Sequence, residues 1–199
     1  MNKIIALICC IALSKVALAQ KDSLALDDRG KYIYYKVVSM DKYNADVLYK
    51  RSLNFFDIIS KDKSFKITGQ NAKTTSLTGT GILITYKPSL AKHPDGKVAY
   101  TLKMEIKDAK YRYWLTDFVY TPYFRDRYNN YVPDKGISAT MEKPSKVLNE
   151  KELNKYIDES ALFARQLGEK LKKYISTNGI VVPKKDTVAK KVIHIDKGF

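Results

Sequence analysis

Cysteine is almost missing from this 199-residue sequence. There are two, Cys9 and Cys10, and both fall within the first nineteen residues. A chain shortened by that segment forms no disulfide, offers no thiol nucleophile and has no thiolate for a metal. Histidine is equally scarce: His93 and His194 lie far apart. There is no HExxH, no GxSxG and no Cys–His pair. Acidic residues are in the minority, and no spacing marks Asp108, Asp117 and Asp126 as a catalytic set. The longest apolar run, Ile4 to Leu13, is too short to span a bilayer as a helix. These absences leave no expected catalytic residue, metal site or cofactor.

What is present begins with an export signal. Lys3 supplies a positive start, Ile4 to Leu13 an apolar stretch, and Ala17-Leu18-Ala19 a small-x-small cleavage site. Residues 1–19 are therefore expected to be a signal peptide cut before Gln20, leaving a periplasmic or secreted protein. The whole sequence carries 36 Lys and Arg against 21 Asp and Glu; without Lys3 and Lys15 the net charge is +13 (34 against 21). For an exported protein this favours anionic lipid, lipopolysaccharide phosphate or acidic glycan, and not nucleic acid. The basic residues are spread along the chain, which equally suits general solvation.

The strongest local signal is Lys97 to Tyr120. Val98, Tyr100, Leu102, Met104 and Ile106 alternate with polar neighbours, the period of a strand with one buried face. A two-residue turn at Asp108-Ala109 pairs Lys107 with Lys110, Ile106 with Tyr111, Met104 with Tyr113 and Leu102 with Leu115. It also pairs Tyr100 with Asp117 and Val98 with Val119. The opposite face then matches Glu105 with Arg112 and Lys103 with Trp114, an ion pair and a cation–π pair. Asp117 would be the one charge on the apolar face, either a perturbed carboxylate beside Tyr100 or a strand end open to water.

Residues 20–30 read as a loose lead-in, and Lys31 to Ser39 as a strand. Asp41 to Ile59 reads as a helix capped by Ser39 or Asp41, with Ala45, Leu48, Ser52, Phe55 and Ile59 on its apolar side. Ser64–Thr68 and Thr80–Tyr86 read as strands joined by a Gly/Thr/Ser-rich link. Gly79-Thr80-Gly81 superficially suggests a phosphate loop, but no helix follows it; a strand edge or bulge fits better. Pro88 to Gly96 reads as a loop. Thr121 to Pro144 reads as a long loop rich in Tyr and Arg, either a binding element or a flap packed on the sheet. Asn149 to Ser176 is a long helix with a capping box, Asn149 and Glu152. The domain spans 31–178, and 179–199 is a basic tail in which Val192–Ile195 is either an added edge strand or part of a disordered end.

KDAKYRYWLTDF (Lys107 to Phe118) resembles the KDGKYRY-type hairpin of the DUF4468 family, exported Bacteroidetes proteins with a TATA-binding-protein-like fold. The helix followed by SFKITG and a Gly-rich strand is similar to that family's earlier half. The resemblance covers about Tyr32 to Ile175 and departs at Ala109, where glycine is usual. It implies an α+β domain: a curved antiparallel sheet of about five strands, in the order β-α-β-β-β-β-α, with two helices on one face. It implies no activity, since fold does not give function.

The expected function is a non-enzymatic binding or interaction domain of the cell envelope. Its candidate ligand-binding residues are Arg112 and Trp114 on the sheet, with Tyr123, Arg125, Arg127 and Tyr128 beyond it. Arginine would grip phosphate or carboxylate, and the aromatic rings would form a stacking floor. The alternative is docking to another envelope protein through a sheet edge or the tail. A carboxylate-dependent hydrolase is a third reading.

Overall fold

A computed structural model describes residues 23–87 and 93–177. The expected signal peptide (1–19) and the tail 179–199, with its candidate edge strand Val192–Ile195, lie outside the described residues. The chain runs β1 (Ala25–Leu26), β2 (Tyr32–Ser39), α1 (Ala45–Ile59), β3 (Phe65–Asn71), β4 (Ser76–Tyr86), β5 (Pro94–Lys107), β6 (Lys110–Arg125), β7 (Tyr131–Pro133), β8 (Ala139–Thr140) and α2 (Glu150–Ser176). The antiparallel sheet has the order β1-β2-β6-β5-β4-β3, and β7 and β8 also pair with β6. This is the expected α+β architecture of five principal strands and two helices, with three short strands added.

Alternation builds the sheet. Val98, Tyr100, Leu102, Met104 and Ile106 are all buried. Both helices pack on that face: Phe56 meets Phe65 edge-on at 5.4 Å, Tyr100 meets Phe163 at 5.3 Å, and Tyr120 stacks on Tyr156 at 5.1 Å. Each large side chain taken fully out of water contributes roughly 1.5–3 kcal/mol, so this layer carries most of the stability. Glycine sets how closely the layers approach. A Cβ on Gly168 of α2 would sit 1.7 Å from the Tyr113 hydroxyl, and one on Gly79 would sit 2.1 Å from the Phe65 ring. The Gly79-Thr80-Gly81 run is thus strand, its glycines making room for Phe65 and Tyr100.

The hairpin register follows the sequence expectation from Lys107↔Lys110 through Thr101↔Thr116 and then slips by one residue. Thr101 pairs with Thr116, but Ala99 pairs with Val119 and Val98 with Tyr120. Two residues of β6, Asp117 and Phe118, oppose Tyr100, which is a β-bulge. Asp117 takes φ +56, a left-handed conformation that Asp tolerates through its short polar side chain. The slip puts Phe118 and Tyr120 into the core and takes Asp117 off the apolar face. The Asp117 carboxylate instead meets Lys31 at 2.6 Å.

Helix α1 starts four residues later than its sequence suggests, with Asn44 as the cap, accepting from Val47 N at 3.0 Å. The residues before it are occupied elsewhere. Met40 N donates to Ala109 O, Ala109 N donates to Tyr43 O, and Ala45 N donates to Asp108 Oδ1. This clamp holds the hairpin turn, where Ala109 sits at φ +61 without the usual glycine. The α2 capping box is formed as expected. Thr121–Pro144 is less of a loop than its composition suggests: β6 continues to Arg125, turns, and returns as β7 and β8. The lead-in also joins the fold, with Ala25 pairing with Ile33 and Leu24 buried.

Gly168→Ala is expected to lower stability by about 1–2 kcal/mol in urea denaturation, because overpacking against Tyr113 exceeds the gain in helix propensity.

Candidate functional site

The six residues singled out in the sequence fall in two places. Arg112 and Trp114 lie near the hairpin end of β6. Tyr123 and Arg125 lie at its other end, and Arg127 and Tyr128 lie in the turn to β7. At about 3.3 Å per residue, the nine residues from Trp114 to Tyr123 span roughly 30 Å. The two groups do not form one site.

At the hairpin end the side chains point away from the helices. Register sets Tyr35 opposite Trp114 and Val37 opposite Arg112. The Tyr35 and Trp114 rings lie 6.4 Å apart, tilted by 40°. Tyr35 and Val37 are each about half exposed (51% and 52%), an unusual state for apolar side chains in mid-strand. The Arg112 guanidinium stands 5.7 Å from the Trp114 ring centre. Its Nε and Nη2 donate to Glu105 Oε2 at 2.8 and 2.5 Å. Glu105, and after it Tyr35, hold the Arg112 pKa above its ordinary value. The fork expected to grip an anion is therefore engaged by Glu105, and Arg112 supports the aromatic floor. A shallow depression of about 220 Å³ lies between Tyr35, Val37, Glu105 and Arg112. The sequence does not single out Tyr35 and Val37, because the pattern of β2 carries no sign of which strand lies beside it.

At the far end, Arg125 lies 4.9 Å from the Tyr131 ring and His93 stacks on the same ring at 5.4 Å. Arg127 covers Tyr128, which is 72% exposed, so that pair faces water. Asp126 Oδ1 closes the turn by accepting from Tyr128 N and Asn130 N. Tyr123 and Tyr131 wall a larger concavity of about 740 Å³ that reaches the start of α2. Asp95 is buried in its floor. Its carboxylate accepts from the Tyr156 hydroxyl and pairs with Lys87 at 3.2 Å. The Tyr120 hydroxyl donates to the Asp95 carbonyl at 3.2 Å.

These groups satisfy one another, which makes Asp95 a polar lock between β5 and α2. Burial, and then the bond to Asp95, push the Tyr156 phenol far above its ordinary range. Burial, followed by the Asp95 charge, raises Tyr120 to about 12. The sequence does not mark Asp95, because Pro88–Gly96 reads as a loop. Among the described residues no group of three or more His, Cys, Asp or Glu could hold a metal ion. Among them, too, no helix is long and apolar enough to cross a membrane.

Residues 34–121 match the family model described as a domain of unknown function (DUF4468) with TBP-like fold. This stretch is a DUF4468 domain. It runs from β2 through the Asp117 bulge, so it contains the Tyr35–Trp114 face but neither Tyr123 nor α2. Two solved structures resemble the chain. A TBP-like protein from Parabacteroides distasonis superposes with a TM-score of 0.60 at 12% identity, over 77% of this chain and 97% of that one. A DUF4468 family protein from Bacteroides ovatus gives 0.57 at 14% identity, over 76% and 90%. At such identities the likeness extends to the fold alone. No curated protein matches the chain.

Tyr156→Phe is expected to cost about 1–3 kcal/mol at neutral pH, by leaving the Asp95 carboxylate short of a donor. The raised Tyr120 pKa sets the alkaline limit. A phenol whose folded pKa exceeds its unfolded value of about 10 stabilises fully below pH ~10, and that contribution fades as pH rises through about 12. Absorbance of phenolate and circular dichroism should therefore change together in that window.

Proposed function

We propose that this DUF4468 domain is a non-enzymatic binding module of the bacterial cell envelope, contacting its partner through the uncovered sheet face at Tyr35, Val37 and Trp114. One observation carries the reading: aromatic and β-branched side chains stand half-exposed in mid-strand on the face opposite both helices. Exposed apolar side chains grouped in this way are characteristic of contact surfaces. Beside them Glu105 engages the Arg112 guanidinium, while Lys107 and Lys110 at the same depression leave it basic, so contact there combines ring stacking and apolar burial with a cationic rim. The envelope address rests on the signal-like residues 1–19.

Two measurements test this. Intact mass of the protein from its native host is expected to begin at Gln20. Trp114 is the sole tryptophan, so its fluorescence reports on the face directly. Addition of solubilised envelope fractions should shift its emission, and Tyr35→Ser should weaken the apparent affinity at least tenfold while leaving the melting temperature nearly unchanged. Equal affinity for the variant and the native chain would remove this face from consideration.

A further inference from the structure

Strand β2 is paired along most of its length on one edge only. Its partners on β6 are residues 110–115, and on its other side β1 reaches no further than Tyr32 and Ile33. Met40 N donates to Ala109 O, one step beyond the Ser39↔Lys110 pair. In an antiparallel ladder the hydrogen-bonded residues alternate. Tyr34, Lys36 and Val38 therefore bond to β6, whereas the backbone groups of Tyr35, Val37 and Ser39 point outward. No strand among the described residues meets them. A free edge of this kind is a template for a further strand.

The two sides of that edge differ. On the outer face stand Tyr35 and Val37. On the helix side a groove of about 440 Å³ separates β2 from α2, with Tyr113 and Gly168 in its floor. Lys36, Arg165 and Lys172 line it against one anion, Glu169. A strand added here would turn alternate side chains to each side. One set would lie beside Tyr35 and Val37 and the other would enter the cationic groove.

Resting on the binding-module reading, we infer that the partner is an extended, acidic polypeptide segment. It pairs with β2 at Tyr35, Val37 and Ser39, with apolar residues on the outer face and carboxylates toward Lys36, Arg165 and Lys172. The backbone bonds supply affinity and the alternation supplies specificity. The charge complementarity favours acidic over basic segments and weakens with salt.

The probe is a blocked octapeptide alternating valine with glutamate. One control carries lysine for glutamate, and the other carries a central proline in place of valine. Trp114 fluorescence gives affinity, and amide hydrogen exchange gives the site. The glutamate peptide should bind at least tenfold tighter than either control and slow exchange at Tyr35, Val37 and Ser39. The double variant Lys36→Glu/Lys172→Glu, exposed and expected to fold, should lose at least fivefold in affinity. Three peptides binding alike, or none binding at millimolar concentration, overturns the proposal. So does finding those amides protected in the free protein and released by dilution or by deleting residues 178–199, which would make a second copy or the chain's own tail the occupant. A Tyr35→Ser effect on envelope binding without any peptide pairing would retain the face and reject the edge.

Discussion

Lys31 reaches 2.6 Å across to Asp117, and the residue it holds is the left-handed position at which β6 changes partners. Before the bulge the edge of β6 away from β5 belongs to β2; after it, Val119 and Tyr120 pair with β8. A sixteen-residue strand kept in one register would turn Phe118 outward and Asp117 into the core. The bulge reverses the faces once, so both halves of β6 bury aromatic rings against the helices: Tyr111 and Tyr113 before it, Phe118 and Tyr120 after it. It also ends the β2 pairing early. The short β1 covers only the start of β2's other side, and the rest of that edge is left open.

The hairpin clamp is the second consequence of this arrangement. Because β2 ends beside the β5–β6 turn, residues 40–45 bond to Asp108 and Ala109 before α1 begins. Those bonds offset the strain of a left-handed alanine, of order 1–2 kcal/mol. They also fix where α1 starts, and with it the seating of Phe55 and Phe56 against the core.

Much of this was legible in the sequence where the pattern is local. Alternation gave the buried face of β5, turn length gave the rungs of the hairpin register from Lys107↔Lys110 through Thr101↔Thr116, and Asn149 with Glu152 gave the start of α2. What was illegible is what depends on distant partners. Asp117 carries no glycine to announce a bulge; its conformation is held by Lys31, 86 residues away. Asn44, and not Ser39 or Asp41, caps α1, because the residues before it answer a demand that comes from the hairpin turn. Tyr123 and Arg125 read as loop because Pro122 and the mixed polarity around it hide a strand whose pairing with β7 is set by the Asp126 turn.

Charge shows the same gap between composition and site. The excess of basic residues suggested arginines waiting for anions, yet Arg112 is matched by Glu105, and Arg125 and Arg127 lie over tyrosine rings. Net charge acts over a Debye length of about 8 Å at physiological salt, so it steers approach without choosing a contact. Choice needs cations fixed beside something directional. Lys36 and Lys172 meet that condition: they flank a strand edge whose backbone groups accept a ligand in one orientation. A surface elsewhere on the domain could attract an acidic chain, but beside this strand edge alignment with the backbone would also reward an extended one.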